Sequence, residues 1–148
     1  MISTDIHSPV SAVMSTDLIT VLPFDPVHKI IKVFKDHDFH HIPVVENGLI
    51  LGMISKLDLL GFFEDVSRWV DGKHQTQYMM ENATASELMT KDIVTLKPTD
   101  TLQHAVSIFR ENYFRSLPVV DENGKLEGIV TTYDILCHTF KPEFLKQT

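Results

Sequence analysis

The sequence predicts a mixed α/β protein of the α+β type, built from two similar halves. Three observations predict this fold. Residues 14–60 recur as residues 89–136 with one insertion. Each half contains an apolar run ending in Pro-Val-Val, which is typical of a strand buried on both faces. Apolar residues at helical spacing flank that run. We therefore expect one small sheet in each half, with helices on one of its faces.

The two halves share identical residues at a nearly constant offset. The offset is 75 residues where Met14 matches Met89, and the extra residue Glu122 raises it to 76 within the second hairpin. Turn residues coincide as well as apolar ones, so the repeat is an internal duplication. The matched pairs include Asp17 and Asp92, Thr20 and Thr95, Pro23 and Pro98, Asp25 and Asp100, Phe34 and Phe109, Phe39 and Phe114, Asn47 and Asn123, Gly48 and Gly124, and Leu60 and Leu136.

Each half is predicted to begin with a short helix and a strand. Ser8 and Pro9 resemble an N-cap and a first helical residue, and Thr84–Glu87 has the spacing of a capping box. The strands follow as LITV at residues 18–21 and IVTL at residues 93–96. Together with the two hairpin strands further along, they predict a three-stranded sheet in each half.

A second helix follows in each half. Asp25-Pro26 opens it in the first half, and Thr99 or Asp100 opens it in the second. Its apolar face recurs at helical spacing. The residues of that face are Val27, Ile30, Ile31 and Phe34 in the first half and Leu102, Ala105, Val106 and Phe109 in the second.

A β-hairpin and a last helix complete each half. IPVVE and LILGMIS are joined through Asn47-Gly48, a typical two-residue hairpin turn, whereas LPVVD and KLEGIVT are joined by a longer loop. KLDLLGFF and TYDILCHTF predict the last helices. Because one half alone is too small to bury a stable core, we expect the two sheets to pack together with approximate two-fold symmetry. The expected organisation is a first repeat at residues 8–71 with an extended last helix, a linker at 72–82 and a second repeat at 83–141.

Composition excludes several classes of protein. Hydrophobic residues make up 43% and charged residues 22%, which is ordinary for a soluble globular protein. The net charge of −7 argues against nucleic-acid binding, which needs a basic face. The sequence has neither a signal-peptide pattern nor an apolar run long enough for membrane insertion. The single cysteine, Cys137, is expected to be a buried, inert thiol in a cytoplasmic protein.

A recurring pattern of glycine, two apolar residues, a hydroxyl residue and an acid stands where each hairpin leads into the last helix. A hydroxyl three residues before an acid is a helix-capping arrangement. The same helix start also suits a phosphate, while the acid suits a ribose diol and the glycine leaves room for a ligand. The two interpretations are compatible. The residues are Gly52, Ser55 and Asp58 in the first half and Gly128, Thr131 and Asp134 in the second.

The doubled pattern, P-V-V-[DE] followed by two glycines and a hydroxyl–x–x–Asp sequence, resembles a pair of cystathionine-β-synthase (CBS) domains, also called a Bateman module. The resemblance extends from about Ser8 to about Lys141. It implies a regulatory module, not an enzyme, that binds an adenosine-containing ligand in the clefts between the paired repeats. The implied ligands are AMP, ADP, ATP, S-adenosylmethionine or NAD, with Mg²⁺ accompanying a nucleotide and no obligatory cofactor.

The resemblance also implies the site residues. The acids match the family's ribose-binding acid, and the hydroxyl residues match a group near ribose or phosphate. The first-strand regions, residues 14–20 and 89–95, are implied to supply the adenine pocket. The implied ribose-binding acids are Asp58 and Asp134, and the implied hydroxyl residues are Ser55 and Thr131. Ile19 and Val94 are implied to lie beside the adenine ring. The residues implied to reach the phosphates are His40, His41, Arg115 and Ser116.

Histidines in the first repeat occupy the place that an arginine holds in the second. Arginine keeps its charge at any relevant pH, whereas a histidine side chain titrates at about pH 6.5. We therefore predict unequal sites, with the His40/His41 side holding a highly charged phosphate less firmly at pH 8 than at pH 6. An affinity independent of pH at both sites would contradict this prediction.

Other functions are weaker but stay open. The run Asp36–His41 holds three histidines and two acids, but it crosses from a helix end into a strand, where the side chains of a zinc site would diverge. His37 fits a helix C-terminus better. No catalytic motif is present, so neither an enzyme nor a metal site is predicted. The strongest alternative is a ligand-free module that only dimerises or docks.

Partners are expected through the last helix of the first repeat. Its apolar stripe either extends the core or forms a homodimer or effector contact, since Trp and Phe are favoured in interfaces. The family resemblance favours a homodimer, with an effector enzyme or transporter as the receiver of the signal. The stripe consists of Phe62, Phe63, Val66, Trp69 and Val70.

Overall fold

The structure is a computed structural model that describes residues 5–69, 73–112 and 114–140, with the backbone alone at 66–69 and 73–76. A short 3-10 helix, Val10–Ala12, comes first. The helices are α1 Val27–Asp36, α2 Lys56–Trp69, α3 Lys73–Asn82, α4 Ala85–Leu88, α5 Leu102–Asn112 and α6 Thr132–Thr139. The strands are β1 His41–Glu46, β2 Leu49–Ser55, β3 Ser116–Val120 and β4 Leu126–Thr131.

The chain forms two compact units whose limits cross those of the sequence repeats. The first-repeat unit is Ile19–Ile93, and the second-repeat unit combines the described parts of Met1–Leu18 and Val94–Thr148. The leading segment of each repeat therefore belongs to the unit that holds the hairpin of the other repeat. Residues 72–82, which we expected to be a linker, contain helix α3 of the first-repeat unit.

Equivalent hydrogen bonds attach the two leading segments. The amide of Ala85 donates to the Asp25 carbonyl at 2.8 Å, and the amide of Val10 donates to the Asp100 carbonyl at 2.7 Å. Val10 and Ala85 are fully buried, each in the core of the unit it joins. Each leading segment thus adds an apolar side chain to the core beside the second helix of the opposite repeat. Burial of that side chain removes its apolar surface from water, which stabilises the packing.

Each sheet has two strands rather than the three that the sequence predicted. β1 pairs with β2 and β3 with β4, both antiparallel. LITV and IVTL were wrongly predicted as strands: only Val21 and Leu96 form single parallel bridges, to Val44 and Val119. The bridging residue makes both of its backbone hydrogen bonds to β1 or β3. The residues before it make no further bridge to that strand, so no third strand forms.

The hairpins and the helices around them are confirmed. Asn47 and Gly48 have φ angles of 54° and 82°, the left-handed pair that a tight two-residue turn requires. The longer loop of the second hairpin is held by the Asp121 carboxylate, which accepts from the amides of Asn123 at 2.8 Å and Lys125 at 2.9 Å. The predicted apolar face of α1 is buried at Val27, Ile30 and Phe34, and that of α5 at Leu102, Ala105 and Phe109.

Asp25 is the buried acid of the first-repeat core, with 7% of its surface exposed. Its carboxylate accepts from the Leu22 amide at 2.8 Å and from Lys29 Nζ at 3.1 Å. We expect Asp25→Ala to lower the free energy of unfolding by about 2 kcal/mol, because the Leu22 amide and the Lys29 ammonium lose an acceptor that is itself buried. Chemical denaturation measures it.

The matched control is Asp100→Ala in the second repeat. The Asp100 carboxylate accepts only the exposed Lys97 amide, at 2.8 Å, among the described residues. The expected loss is therefore about 1 kcal/mol, the usual value for a turn or cap. A larger loss at Asp100 than at Asp25 would contradict the assignment of Asp25 to the core.

Candidate functional site

Ser55 and Asp58 form a closed capping arrangement at the start of α2. The Ser55 amide donates to Asp58 Oδ2 at 2.8 Å, and the Asp58 amide donates to Ser55 Oγ at 3.0 Å. Both side chains are half-buried. We call this pair the first-repeat box. It satisfies two amides of the helix start and leaves Asp58 Oδ1 directed away from the cap bonds.

Thr131 and Asp134 form the second-repeat box at the start of α6. The Thr131 amide donates to Asp134 Oδ2 at 2.9 Å, and the Asp134 amide donates to Thr131 Oγ1 at 3.0 Å. The two boxes thus agree in every bond and within 0.1 Å in length. No described residue donates a hydrogen bond to Asp134 Oδ1. Both predicted interpretations of the pattern, capping and an acid with a spare oxygen, are therefore compatible with the observed geometry.

Gly52 does not leave room for a ligand, contrary to the sequence interpretation. A Cβ atom at Gly52 would lie 2.7 Å from Met89 Sδ and 2.7 Å from the Thr90 carbonyl oxygen. Thr90 pairs with Met53 through bonds of 2.8 and 3.1 Å. The glycine is needed because the leading segment of the other repeat packs directly on β2.

Gly128 has the same role in the second-repeat unit. A Cβ atom there would lie 2.5 Å from Met14 Sδ and 3.0 Å from the Ser15 carbonyl oxygen. Ser15 and Ile129 exchange backbone bonds of 2.8 and 3.0 Å. Met14 and Met89, which the sequence analysis noted only as matched residues, are therefore the side chains that fill the space above the two glycines.

The leading segment brings a hydroxyl group to the first-repeat box. Thr90 Oγ1 lies 3.5 Å from Asp58 Oδ1, and Thr90 is exposed. Ser15 is the matched residue of the first repeat, and it pairs with Ile129 as Thr90 pairs with Met53. Thr90 is therefore a residue near the acid that was not singled out from the sequence, and the adenine-pocket role of residues 89–95 and 14–20 stays a prediction.

The predicted phosphate residues stand next to the boxes. His41 lies opposite Ser55 in the β1–β2 ladder, and Ser116 lies opposite Thr131 in the β3–β4 ladder. The carbonyl of His40 accepts from the Lys56 amide at 3.0 Å. His40 is exposed, so its imidazole is accessible beside the helix start.

The second-repeat unit has the same arrangement with different side chains. The carbonyl of Arg115 accepts from the Thr132 amide at 3.1 Å, and Arg115 is exposed. At the position of Thr132 the first repeat has Lys56, a cationic residue at the start of α2 for which the sequence motif predicts no role.

The two predicted adenine neighbours are distributed over the two units. Ile19 is half-buried in the first-repeat unit, and Val94 is 38% exposed in the second-repeat unit. Each precedes by two residues the bridging residue of its segment, Val21 or Leu96. Their role beside an adenine ring stays a prediction, as does the pH dependence predicted for the histidine side.

The histidine-rich run and the cysteine take other roles. His37 stacks on Phe39, with ring centroids 5.1 Å apart. Among residues 5–69, 73–112 and 114–140, no three His, Cys, Asp or Glu side chains group as metal ligands. Cys137 is exposed, not buried as predicted. It lies one turn from Tyr133, and the hydrogen bond between the two side chains raises the pKa of the Tyr133 phenol.

Comparison with known proteins connects both halves of the chain to one family. The family model described as CBS domain matches residues 10–65 and 85–139. The protein MJ1225 of Methanocaldococcus jannaschii is 30% identical over 125 residues, which are 83% of this chain and 44% of that protein. The CBS domain-containing protein YhcV of Bacillus subtilis is 29% identical over 136 residues, 92% of this chain and 89% of its own.

Solved structures share the fold. The crystal structure of MJ1225 superposes with a TM-score of 0.77 at 25% identity, covering 89% of this chain and 48% of MJ1225. The crystal structure of CBSX2 in complex with AMP gives a TM-score of 0.76 at 24% identity, covering 91% of this chain and 98% of CBSX2. The chain spans less than half the length of MJ1225. In the part of the chain that the structure describes, no helix has both the length and the apolarity of a membrane-spanning segment.

Proposed function

The chain belongs to the CBS domain family, and from this premise we propose that it is a regulatory module that binds adenosine-containing nucleotides at its two boxes and relays their occupancy to a partner protein. The observation that carries the proposal is the agreement of the two boxes. Both repeats retain a half-buried acid with one oxygen outside the capping bonds, set at a helix start beside a polar or cationic residue. Capping uses one oxygen of each acid, and the proposal assigns the other oxygen to the ligand.

Each part of a nucleotide has a matching group in this proposal. Asp58 Oδ1 and Asp134 Oδ1 accept from ribose hydroxyls, since a carboxylate oxygen is a strong acceptor. The positive ends of α2 and α6 favour the phosphates. His40, His41, Arg115 and Ser116 lie beside those helix ends, and Ile19 and Val94 are the proposed apolar neighbours of the adenine. Mg²⁺ would accompany a polyphosphate.

Signalling follows if the ligand binds better to one conformation than to another. Thr90 contacts Asp58 and lies three residues before Ile93, the last residue of the first-repeat unit. A ligand bound to Asp58 therefore changes the contact between this acid and Thr90, which belongs to the leading segment of the second repeat. We propose that this segment transmits occupancy.

A thermal-shift panel tests the proposed function directly. AMP, ADP, ATP, S-adenosylmethionine and NAD are added separately to the chain. A ligand at about 100 times its dissociation constant stabilises the folded state by about 2.7 kcal/mol. We expect at least one adenosyl ligand to raise the melting temperature by several degrees, and guanosine and uridine nucleotides to serve as controls. If no adenosyl ligand moves the midpoint, the ligand-free docking module becomes the better interpretation.

We also propose that the module forms a homodimer through α2 and α6. Leu57 and Leu60 on α2 are 76% and 57% exposed, and the matched residues Tyr133 and Leu136 on α6 are 72% and 55% exposed. Phe62 packs on the first-repeat core and forms an edge contact with Phe63 at 5.9 Å, whereas Val66, Trp69 and Val70 have side chains outside the described part of the chain. Repeated exposure of large apolar side chains is typical of an interface.

The double variant Leu60→Glu/Leu136→Glu is expected to convert a dimer to a monomer. A buried carboxylate without a partner destabilises an apolar interface far more than it destabilises an exposed surface. Light scattering coupled to size-exclusion chromatography measures the mass. The matched control is Asp65→Asn, at an exposed acid on α2. A wild-type chain that elutes as a monomer at high micromolar concentration contradicts the dimer.

A further inference from the structure

The two boxes have different cationic neighbours. Lys56 is the first residue of α2, immediately after Ser55, and the matching residue of the second repeat is Thr132. Lys91 follows Thr90 in the leading segment, and the matching residue is Thr16. The fold does not require a lysine at either place, since the second-repeat unit forms the same structure with threonine at both.

Both lysines lie close to the first-repeat box along the backbone. The Lys56 amide donates to the His40 carbonyl at 3.0 Å, and the Thr90 hydroxyl preceding Lys91 lies 3.5 Å from Asp58 Oδ1. Lys56 is half-buried and Lys91 is exposed. The two lysines therefore lie on two different elements next to the same acid, Lys56 on the helix and Lys91 on the leading segment.

The second-repeat box has one permanent cation near it, Arg115, attached where His40 stands in the first repeat. The acids of the leading segments are equal, because Asp92 matches Asp17, whereas Asp38, two residues before His40, matches Tyr113. At the helix start and in the leading segment, the first repeat has two lysines, and the permanent cation of the second repeat is Arg115, ahead of its strand.

Resting on the proposed function, we propose that the first-repeat box selects adenosine di- and triphosphates, whereas the second-repeat box binds the monophosphate or an uncharged adenosyl ligand about as well as the triphosphate. Each exposed charge pair changes affinity by a factor of roughly two to five. The ratio of ATP affinity to AMP affinity should consequently be about two- to fivefold higher at the first-repeat box than at the second, because the first-repeat box has one more permanent cation.

Calorimetric titration of single-site variants tests the proposal. Asp134→Asn leaves only the first-repeat box able to bind, and Asp58→Asn leaves only the second-repeat box able to bind. AMP and ATP are titrated at pH 8, where histidine side chains are mostly uncharged, in EDTA and at one fixed salt concentration. In the Asp134→Asn background, Lys56→Thr/Lys91→Thr should lower the ATP-to-AMP affinity ratio about tenfold while AMP affinity stays within a factor of roughly three.

The reciprocal exchange provides the control. In the Asp58→Asn background, Thr132→Lys/Thr16→Lys should raise the ATP-to-AMP ratio by a similar factor. Circular dichroism confirms that each variant is folded. Equal or reversed ratios at the two boxes, with binding intact, overturn the selectivity proposal and leave the proposed function standing. Failure of the wild-type chain to bind any adenine nucleotide overturns the proposed function itself.

Discussion

Replacing Gly52 by alanine is expected to lower the free energy of unfolding of the first-repeat unit by about 3 kcal/mol, because the added methyl group meets an atom that cannot move aside. The Thr90 carbonyl oxygen, 2.7 Å from the new Cβ, is fixed by its bond from the Met53 amide at 3.1 Å. Relief requires the leading segment to leave β2. In thermal denaturation, the loss should lower the midpoint by roughly 10 °C.

Gly128→Ala is the matched control, and its expected effect is about 1 kcal/mol. The closest atoms there belong to the flexible Met14 side chain, at 2.5 and 2.9 Å, and the Ser15 carbonyl is further away, at 3.0 Å. Adding Met14→Ala to Gly128→Ala should therefore remove most of the strain, measured as coupling in a double-mutant cycle. Adding Met89→Ala to Gly52→Ala should not, because the Thr90 carbonyl remains. Equal losses at the two glycines would contradict this account.

The two glycines also illustrate which features a single sequence predicts and which it does not. The motif predicted the strand end, the helix start and the capping acid correctly, because all of these depend on residues within one turn of each other. The purpose of the glycine depends on Met89, which is 37 positions away from Gly52 in the sequence (89 − 52 = 37). No local pattern connects Gly52 with Met89, so the sequence alone does not reveal that Met89 fills the space next to the glycine.

The same limit applies to the course of the chain between the repeats. Strand β2 was predicted to the residue at Leu49–Ser55, and the other three hairpin strands were predicted to within one residue at each end, since apolar runs and the Asn47-Gly48 turn are local signals. The leading segments could not be assigned to a unit from the repeat pattern, because Val10 and Ala85 look like the starts of their own repeats. Only the complementary surfaces of Asp25–Val27 and Asp100–Leu102, which are defined in three dimensions, decide where each segment packs.

Duplicated positions proved most informative where the copies disagree. Lys56 against Thr132 and His40 against Arg115 occupy the same backbone positions, so the fold is held constant while the chemistry varies. A difference at such a pair cannot be attributed to the requirements of the fold. The histidines and the arginine differ in this way, and so do Lys56 and Thr132, because the backbone bonds from Lys56 to His40 and from Thr132 to Arg115 are equivalent.

Asp58→Asn and Asp134→Asn separate the capping role of the acids from the proposed binding role. Asparagine retains a carbonyl oxygen that can accept from the Ser55 or Thr131 amide, so the capping bonds of 2.8 and 2.9 Å are conserved. Each substitution should therefore lower stability by less than about 1 kcal/mol. A neutral amide is a much weaker acceptor for a ribose diol than a carboxylate is, since charge-assisted hydrogen bonds are roughly twice as strong.

We expect each single variant to lose binding at its own box by about 30-fold or more, equivalent to roughly 2 kcal/mol or more for two charge-assisted bonds. The double variant should show no ligand-induced thermal shift, although its own melting temperature stays close to that of the wild-type chain. Glu46→Gln/Glu127→Gln, at exposed acids on β1 and β4, controls for the change in net charge. If the double variant binds adenine nucleotides as the wild-type chain does, the acids act as caps alone and the proposed ribose contact is wrong.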